Sequence, residues 1–389
     1  MATNKEQNKL NVPHLRFPEF HGEWEKHGLS EYLDFKNGLN PDSKRFGKGI
    51  KFISVMDILN NPVITYDCIR ASVQATDAEI SSFSVEKGDI LFQRSSETLE
   101  DVGRANVYID DRVAVFGGFV IRGKKKANYN PLFFRYLLSS PYARKRIIPM
   151  GAGAQHFNIG QEGLSKVLLN FPSIEEQTKI ASLLHLLDER IATQSKLIED
   201  LKKLKSAISK KLLCNDKWTT CIIQDIAEIG RGRVISSVEI DRQKHLLYPV
   251  YSSQTSNNGI MGYLDNYMFD GEYITWTTDG ANAGTVFYRK GKFNCTNVCG
   301  TLKILPKFDC YFVSLVLQQA TQKYVSSNLA NPKLMNNTMA SIKIRMPNIE
   351  TQKQLSKVFQ TLDSCLLVHQ RTCKMYLSEK QYLLRQMFI

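Results

Sequence analysis

The sequence predicts an α+β chain made of two tandem pseudo-repeats, each a globular mixed α/β body followed by one long helix. Three observations predict it: a pattern that recurs at a fixed offset, two heptad seams, and short β-branched and aromatic runs bounded by turn residues. At 389 residues the chain exceeds one typical domain.

The repeat is clearest between residues 171–191 and 346–366, related by a constant shift of 175. Pro172, Ile174, Glu175, Gln177, Leu187 and Asp188 recur as Pro347, Ile349, Glu350, Gln352, Leu362 and Asp363. Upstream, Trp24, Gly38, Gly103, Phe134 and Leu137 correspond to Trp218, Gly232, Gly284, Phe312 and Leu315, with the offset drifting as loops change length. The order is kept throughout. These matches place a tail at 1–20, a first body at 21–172, a long helix at 173–214, a second body at 215–346 and a second long helix at 347–389.

Each body reads as sheet interrupted by helix. IKFISV (50–55), DILF (89–92), VYI (107–109), VAVF (113–116), YITW (273–276) and GTVFY (284–288) are short strands between Gly, Asp and Asn turns. Residues 131–148 and 309–325 show helical spacing at equivalent places in the two halves. Trp24 and Trp218 precede the first strand of each body, where core packing is the stronger reading.

The long helices follow from their period. Ile180, Leu184, Leu187, Ile191, Gln194, Ile198, Leu201, Lys205, Ile208 and Leu212 step by four and three, which is a heptad seam. The second seam runs Leu355, Phe359, Leu362, Leu366, His369, Cys373, Tyr376, Lys380, Leu383 and Met387. Both carry a Lys at the same step. Pro172 and Pro347 stop the preceding strand, and acids in the first turn complement the helix N-terminus. Such a stripe, on a helix about 50 Å long at 1.5 Å per residue, outlasts any one small domain face, so the two helices are expected to pair with each other.

Composition narrows the function. The mix of 43% hydrophobic and 23% charged residues is that of a soluble globular protein, and a net charge of +13 favours a polyanionic partner. No apolar run suits a signal peptide or a membrane span, so a soluble, unsecreted, cytoplasmic protein is expected. Eight scattered cysteines without CxxC spacing suit reduced thiols better than disulfides or zinc. Residues 1–213 hold 31 basic and 25 acidic side chains and residues 214–389 hold 20 and 13, so both halves carry positive surface.

Signatures of catalysis are missing. There is no phosphate-cradling G-x-x-x-x-G-K-[ST], no complete dinucleotide glycine pattern, no Asn- or Asp-Pro-Pro-aromatic string of an amino-methyltransferase and no H-E-x-x-H. No catalytic residue and no metal ligand is assigned, and binding is favoured over catalysis. The alternatives are a DNA-modifying or DNA-cleaving enzyme with an unrecognised site, or a coiled-coil scaffold whose basic surface meets a membrane or RNA.

DNA-contacting candidates are paired donors and acceptors, and cations, on loops. In the first half these are Lys44 and Arg45, Arg94, Ser95 and Ser96, the Lys124, Lys125, Lys126 cluster, and Gln155, His156 and Asn158. In the second they are Arg231 and Arg233, Ser253, Gln254 and Asn257, Thr277, Thr278 and Asp279, and Asn331 with Lys333. Taken singly each is an ordinary polar loop. Their equivalence across the repeat singles out residues 94–96 with 277–279, and 155–158 with 331–333.

LRFPEFHGEWE (15–25), GDILFQRS, GEYITWTTDGANAGTVFYRKGKF (271–293) and two P-x-I-E-x-Q-x-x-[IL] helix starts resemble the specificity (S) subunit of type I restriction-modification systems. The resemblance covers nearly the whole chain. It implies two target recognition domains joined by two long helices that form an antiparallel coiled coil, with no catalytic centre. It further implies that each domain reads one part of a split DNA sequence while the helices set the spacer. Two methyltransferase (M) subunits would dock and methylate a flipped adenine with S-adenosylmethionine, and restriction (R) subunits would use ATP and magnesium, no cofactor being held by this chain. The second helix departs from the first at His369, Cys373 and Tyr376.

Overall fold

The computed structural model describes residues 11–213, 215–326 and 331–389. They form two compact units: residues up to 195 together with 370–389, and residues 196–369. The first long helix, Ile174–Leu212, and the second, Ile349–Gln386, each contribute a segment to both units.

In the first unit a four-stranded antiparallel sheet has the order Leu33–Asn37, Val120–Lys125, Ile90–Gln93, Ala105–Val107. A second sheet, Ser72–Val73, Phe46–Ile53, Ala114–Phe116, Ser84–Val85, is mixed, because Phe52 and Ile53 run parallel to Val115 and Phe116. The helical stretch expected over 131–148 divides in two. Pro131 and Pro141 open Pro131–Ser139 and Pro141–Ile147, and the Asn130 and Ser140 side chains accept from the backbone N–H of Phe133 and Ala143. Their apolar faces, the main sheet and both long-helix ends share one core, in which Trp24, Phe92, Phe133 and Phe134 meet Ile180, Leu184 and Leu187, and Leu383, Met387 and Phe388. Trp24 is thus a core residue, and its indole Nε1 donates to Glu176. The stretch before the first strand is tied into this body by Arg16, which pairs with Glu176, and by the Leu15 N–H, which donates to the Gln386 carbonyl.

The second unit repeats the plan. Its antiparallel sheet has the order Ala227–Arg231, Cys299–Ile304, Glu272–Thr277, Val286–Lys290, which is again first, fourth, second, third along the chain. Asp309 caps the helix Cys310–Ala320 as Asn130 caps its counterpart. Trp276, Phe312, Leu315, Ile344 and Phe359 are buried together, with Ile208, Leu355 and Leu362 packed around them.

Both helix starts are held by one device. Gln177 donates to the Pro172 carbonyl and accepts from the Asn130 N–H, and Gln352 does the same with Pro347 and Asp309. The recurring glutamine of the repeat therefore ties the long helix to the capped helix beside it.

Within the first unit the helices are antiparallel. Asp188, Arg190 and Ser195 of the first meet Lys380, Tyr376 and Cys373 of the second, one rising in number as the other falls. In the second unit Lys205 pairs with Asp363. Seam positions Ile191, Ile198 and Leu201 are half-buried between exposed neighbours, as is Tyr376, while Leu366 and Leu383 are buried. That is the burial pattern of a two-helix seam.

Candidate nucleic-acid interface

One hydrogen-bond scheme fixes the reading loops of both units. In the first, the Gly103 N–H donates to the Gln93 carbonyl at 2.9 Å; in the second, Gly284 donates to Thr277 at 2.9 Å. Both glycines have positive φ, +67° and +81°, a conformation that costs glycine little. Arg94 N–H donates to the Phe119 carbonyl as Thr278 donates to Val298, and Arg94 accepts from the Ile159 N–H as Thr278 accepts from Leu334. The structural register therefore equates Arg94 with Thr278 and Ser95 with Asp279. It differs by one residue from the pairing of 94–96 with 277–279, because the sequence alone does not reveal where each strand ends.

Past that point the chain forms the same small ribbon in both halves. Ser95 and Ser96 pair with Asn158 and Phe157, and the Ser95 hydroxyl donates to the Asn158 side chain. In the second unit Asp279 bridges Lys333. The structure thus brings together Arg94, Ser95, Ser96 and Asn158, with exposed Gln155 and His156 at the ribbon end. It also brings together Arg231, Thr278, Asp279 and Lys333. Arg231 Nη2 donates to the Thr278 hydroxyl at 3.1 Å and lies 3.3 Å from Asp279, whose other oxygen is 3.7 Å from Lys333 Nζ. Two cations around one carboxylate leave net positive charge beside exposed Asn331.

Other candidates sit differently. Thr277 and Thr278 have no exposure, so neither reaches a base from where it stands; Thr278 instead orients Arg231 and Asp279. Both faces of the strand end are covered, so its residues from Ile274 to Thr277 are all buried, and the signal for a polar loop there hid its last buried residues. Arg45 is clamped by Glu79 through both terminal nitrogens, and Arg233 is clamped by Glu239 in the same way. The hydrogen bond from Arg45 helps hold the Glu79 carboxyl down at about 2. Lys44 is exposed. In the loop before Ile260, the Ser253 carbonyl accepts from Asn282, the Gln254 amide donates to the Ile260 carbonyl, and Asn257 is left-handed at φ +48°.

Lys124, Lys125 and Lys126 lie at the far end of their strand from the ribbon. Val120 pairs with Gln93, whereas Lys125 pairs with Leu33 at the other end, about 16 Å away at roughly 3.3 Å per residue. Lys124 is paired with Glu86 and Lys125 donates to the Tyr129 carbonyl, which leaves Lys126 exposed. Among the described residues no three His, Cys, Asp or Glu side chains gather as a metal site, and no helix is long and apolar enough to cross a membrane.

Sequence reasoning missed the loop Gly117–Phe119 and Asn297. The Gly118 carbonyl accepts from Arg94 and the equivalent Asn297 carbonyl accepts from Arg231. Nothing in a Gly-Gly-Phe or Thr-Asn-Val string marks it as the seat of an arginine.

Comparison with known proteins fixes what this doubled arrangement is. The type I restriction modification DNA specificity domain family matches residues 21–203 and again 215–374. The chain belongs to that family. A type I specificity subunit of Mycoplasma pneumoniae is 37% identical over 198 residues, 50% of this chain and 82% of that protein. The specificity subunit of the type I restriction enzyme MpnII from the same organism is 42% identical over 145 residues, 37% of this chain and 43% of that one. The crystal structure of a type I restriction-modification S subunit from M. genitalium superposes with a TM-score of 0.69 at 17% identity, covering 97% of this chain and 99% of that one. A chain from a study of complex assembly and conformational transition of the type I system superposes at 0.53 with 12% identity, covering 93% and 96%. As a specificity subunit the chain is a DNA recognition component without catalysis of its own, and the repeat is its pair of recognition domains.

Proposed function

We propose that each half of the chain reads one part of a bipartite DNA sequence and that the helix pair sets the spacer between the parts. One observation carries the reading: the same ribbon, with a guanidinium seated on the carbonyl of the adjoining loop, is built twice from different side chains. A shared scaffold with unlike side chains is what two readers of unlike base sequence require, since base edges are told apart by their donor and acceptor patterns. The first unit offers Arg94, Ser95, Ser96, Gln155, His156 and Asn158, and the second offers Arg231, Asp279, Asn331 and Lys333. Lys44, Lys126 and the balanced basic charge supply phosphate attraction.

The bond-making chemistry belongs to partners. In this reading two methyltransferase subunits join the chain and use S-adenosylmethionine on an adenine of each half-site, and restriction subunits use ATP and magnesium, all in the cytoplasm. This chain holds none of those groups.

Selection of bound duplexes from a random pool, followed by sequencing, tests the proposal. The expected result is one motif of two fixed parts around a spacer of constant length. A pool without a common motif, or with one continuous motif, would overturn it.

A further inference from the structure

The two reading sites also differ at the position whose carbonyl anchors the ribbon. Where the backbone N–H of Arg94 donates to the carbonyl of Phe119, that of Thr278 donates to the carbonyl of Val298. Val298 is half-buried, but Phe119 is 68% exposed, at a place where no packing within the unit demands a ring.

Phe119 lines a hollow of about 470 Å³ whose other lining residues are mostly apolar, among them Leu39, Phe46, Phe52 and Met56, with Asn40, Ser54 and Ser95 as polar exceptions. Met56 and Phe46 are themselves exposed, at 60% and 42%. This apolar patch is continuous with the polar ribbon. Ser95 both lines the hollow and donates to Asn158, and Arg94 Nη1 donates to the carbonyl of Gly118, another lining residue. Lys44 and Lys48, two residues to either side of Phe46 along the chain, are exposed and without an ion pair among the described residues.

An exposed aromatic beside an apolar hollow, with two unpaired lysines next to one of its lining residues, calls for an occupant that is apolar itself yet carried on a polyanion. A lipid surface would need a broader apolar face, and a protein partner would not need the free lysines. Duplex DNA offers one such group in its major groove, the 5-methyl of thymine. Resting on the DNA-reading function above, we propose that Phe119 and its hollow are the thymine-methyl subsite of the first half, and that the second half, with Val298 at the same place, has no equivalent. The part of the target read by the first unit then contains at least one T·A pair whose methyl meets Phe119.

The test uses the full chain and the duplex it selects. Each thymidine is replaced in turn by deoxyuridine, which removes only the methyl, and binding is compared for the wild type, Phe119→Ala and Phe119→Leu. At one thymidine, confined to one part of the target, deoxyuridine should weaken wild-type binding about fourfold, the worth of one buried methyl. Phe119→Ala should weaken binding to the thymidine duplex at least as much and lose all response to deoxyuridine there, while Phe119→Leu keeps part of it. A bipartite target without thymidine in that part would sink the methyl subsite and leave the two-part reading standing. So would deoxyuridine effects that persist in full in Phe119→Ala, or a variant that binds DNA normally and loses only a protein partner. Failure to select any bipartite motif would instead sink the DNA reading itself.

Discussion

Lys380 of the second long helix is ion-paired with Asp188 of the first, and the same exchange recurs with the helices in opposite roles, Lys205 of the first pairing with Asp363 of the second. Each carboxylate also accepts from a tyrosine, Tyr136 at 2.9 Å and Tyr311 at 2.6 Å. The lysine at the same step of both seams, polar where a heptad calls for an apolar residue, is thereby explained: it answers the recurring aspartate of the partner helix. The nodes differ in burial, since the side chain of Asp188 is 15% exposed, with Arg135 also beside it, and that of Asp363 is 41% exposed. Asp188→Asn is therefore expected to cost about 2–3 kcal/mol of stability, by stranding a cation in a partly dry site. Asp363→Asn should cost about 1 kcal/mol, because water screens that pair. Urea unfolding of the two variants beside the wild type measures both, and equal losses would contradict the difference in burial.

The same node predicts a pH dependence. Burial alone would raise the Asp188 carboxyl, but the hydrogen bond and charge of Lys380, with Arg135 and Tyr136, prevail and hold it below its usual value. A carboxylate depressed in the folded state contributes stability that is complete above its unfolded value of about 3.9 and is lost as pH falls through the lower folded value. The gap between wild type and Asp188→Asn in urea midpoint should be constant from pH 7 to about pH 5 and should close below about pH 4. A gap that closes near pH 6 would point to a histidine instead.

Replacing Lys124, Lys125 and Lys126 together by alanine should weaken binding to all duplexes alike, without changing the selected motif. Lys124 is engaged by Glu86 and Lys125 by the Tyr129 carbonyl, so of the three side chains only that of Lys126 lacks a direct hydrogen bond or ion pair among the described residues and is open to a phosphate. The slope of log K against log salt should fall by about one, where three free contacts would change it by almost three. A changed base preference would show that these lysines reach the groove.

Asp279 should govern base choice in the second half alone. It holds Arg231 at 3.3 Å and Lys333 at 3.7 Å, so Asp279→Ala frees two cations while Thr278 still engages Arg231. The expected result is altered preference at one or two positions in one part of the target, each worth about 1–3 kcal/mol, with the other part unchanged. Exchanging residues 215–346 for the corresponding segment of another family member should replace that part wholesale. Altered selection in both parts would mean that the recognition domains are not independent.

What the sequence made legible follows from which physical signals are periodic. Heptad spacing disclosed Ile180 to Leu201 and Leu355 to Leu383 because a seam repeats over many turns, and the fixed offset disclosed Gln177 with Gln352 because a helix anchor tolerates no slip. The reading sites were legible only as neighbourhoods. Thr277 and Asp279 are two residues apart, and which of them faces inward depends on where the strand stops, which is set by hydrogen bonds from the Gly284 and Leu334 N–H groups and to the Val298 carbonyl. Arg45 and Arg233 looked free because Glu79 and Glu239 reach them only in the fold. Phe119 gave no signal, since an exposed aromatic in a turn has the same composition as a buried one.

The helix pair predicts how the spacer changes. Sixteen residues lie between Asp188 and Lys205 and sixteen between Asp363 and Lys380, so the stretch between the nodes is matched in length on the two helices. One heptad added to the first helix alone, within 189–204, leaves one helix longer than the other and prevents both ion pairs from forming together; lower stability is expected, in place of a clean change of target. One heptad added to both, within 189–204 and 364–379, restores the match and the seam, and lengthens the strut by about 10 Å at 1.5 Å per residue. At about 3.4 Å per base pair this is a spacer about three pairs longer, with both parts of the motif unchanged. Selected duplexes from the single and double insertions decide the matter: an unchanged spacer in a folded double insertion would remove the helices from the role of ruler.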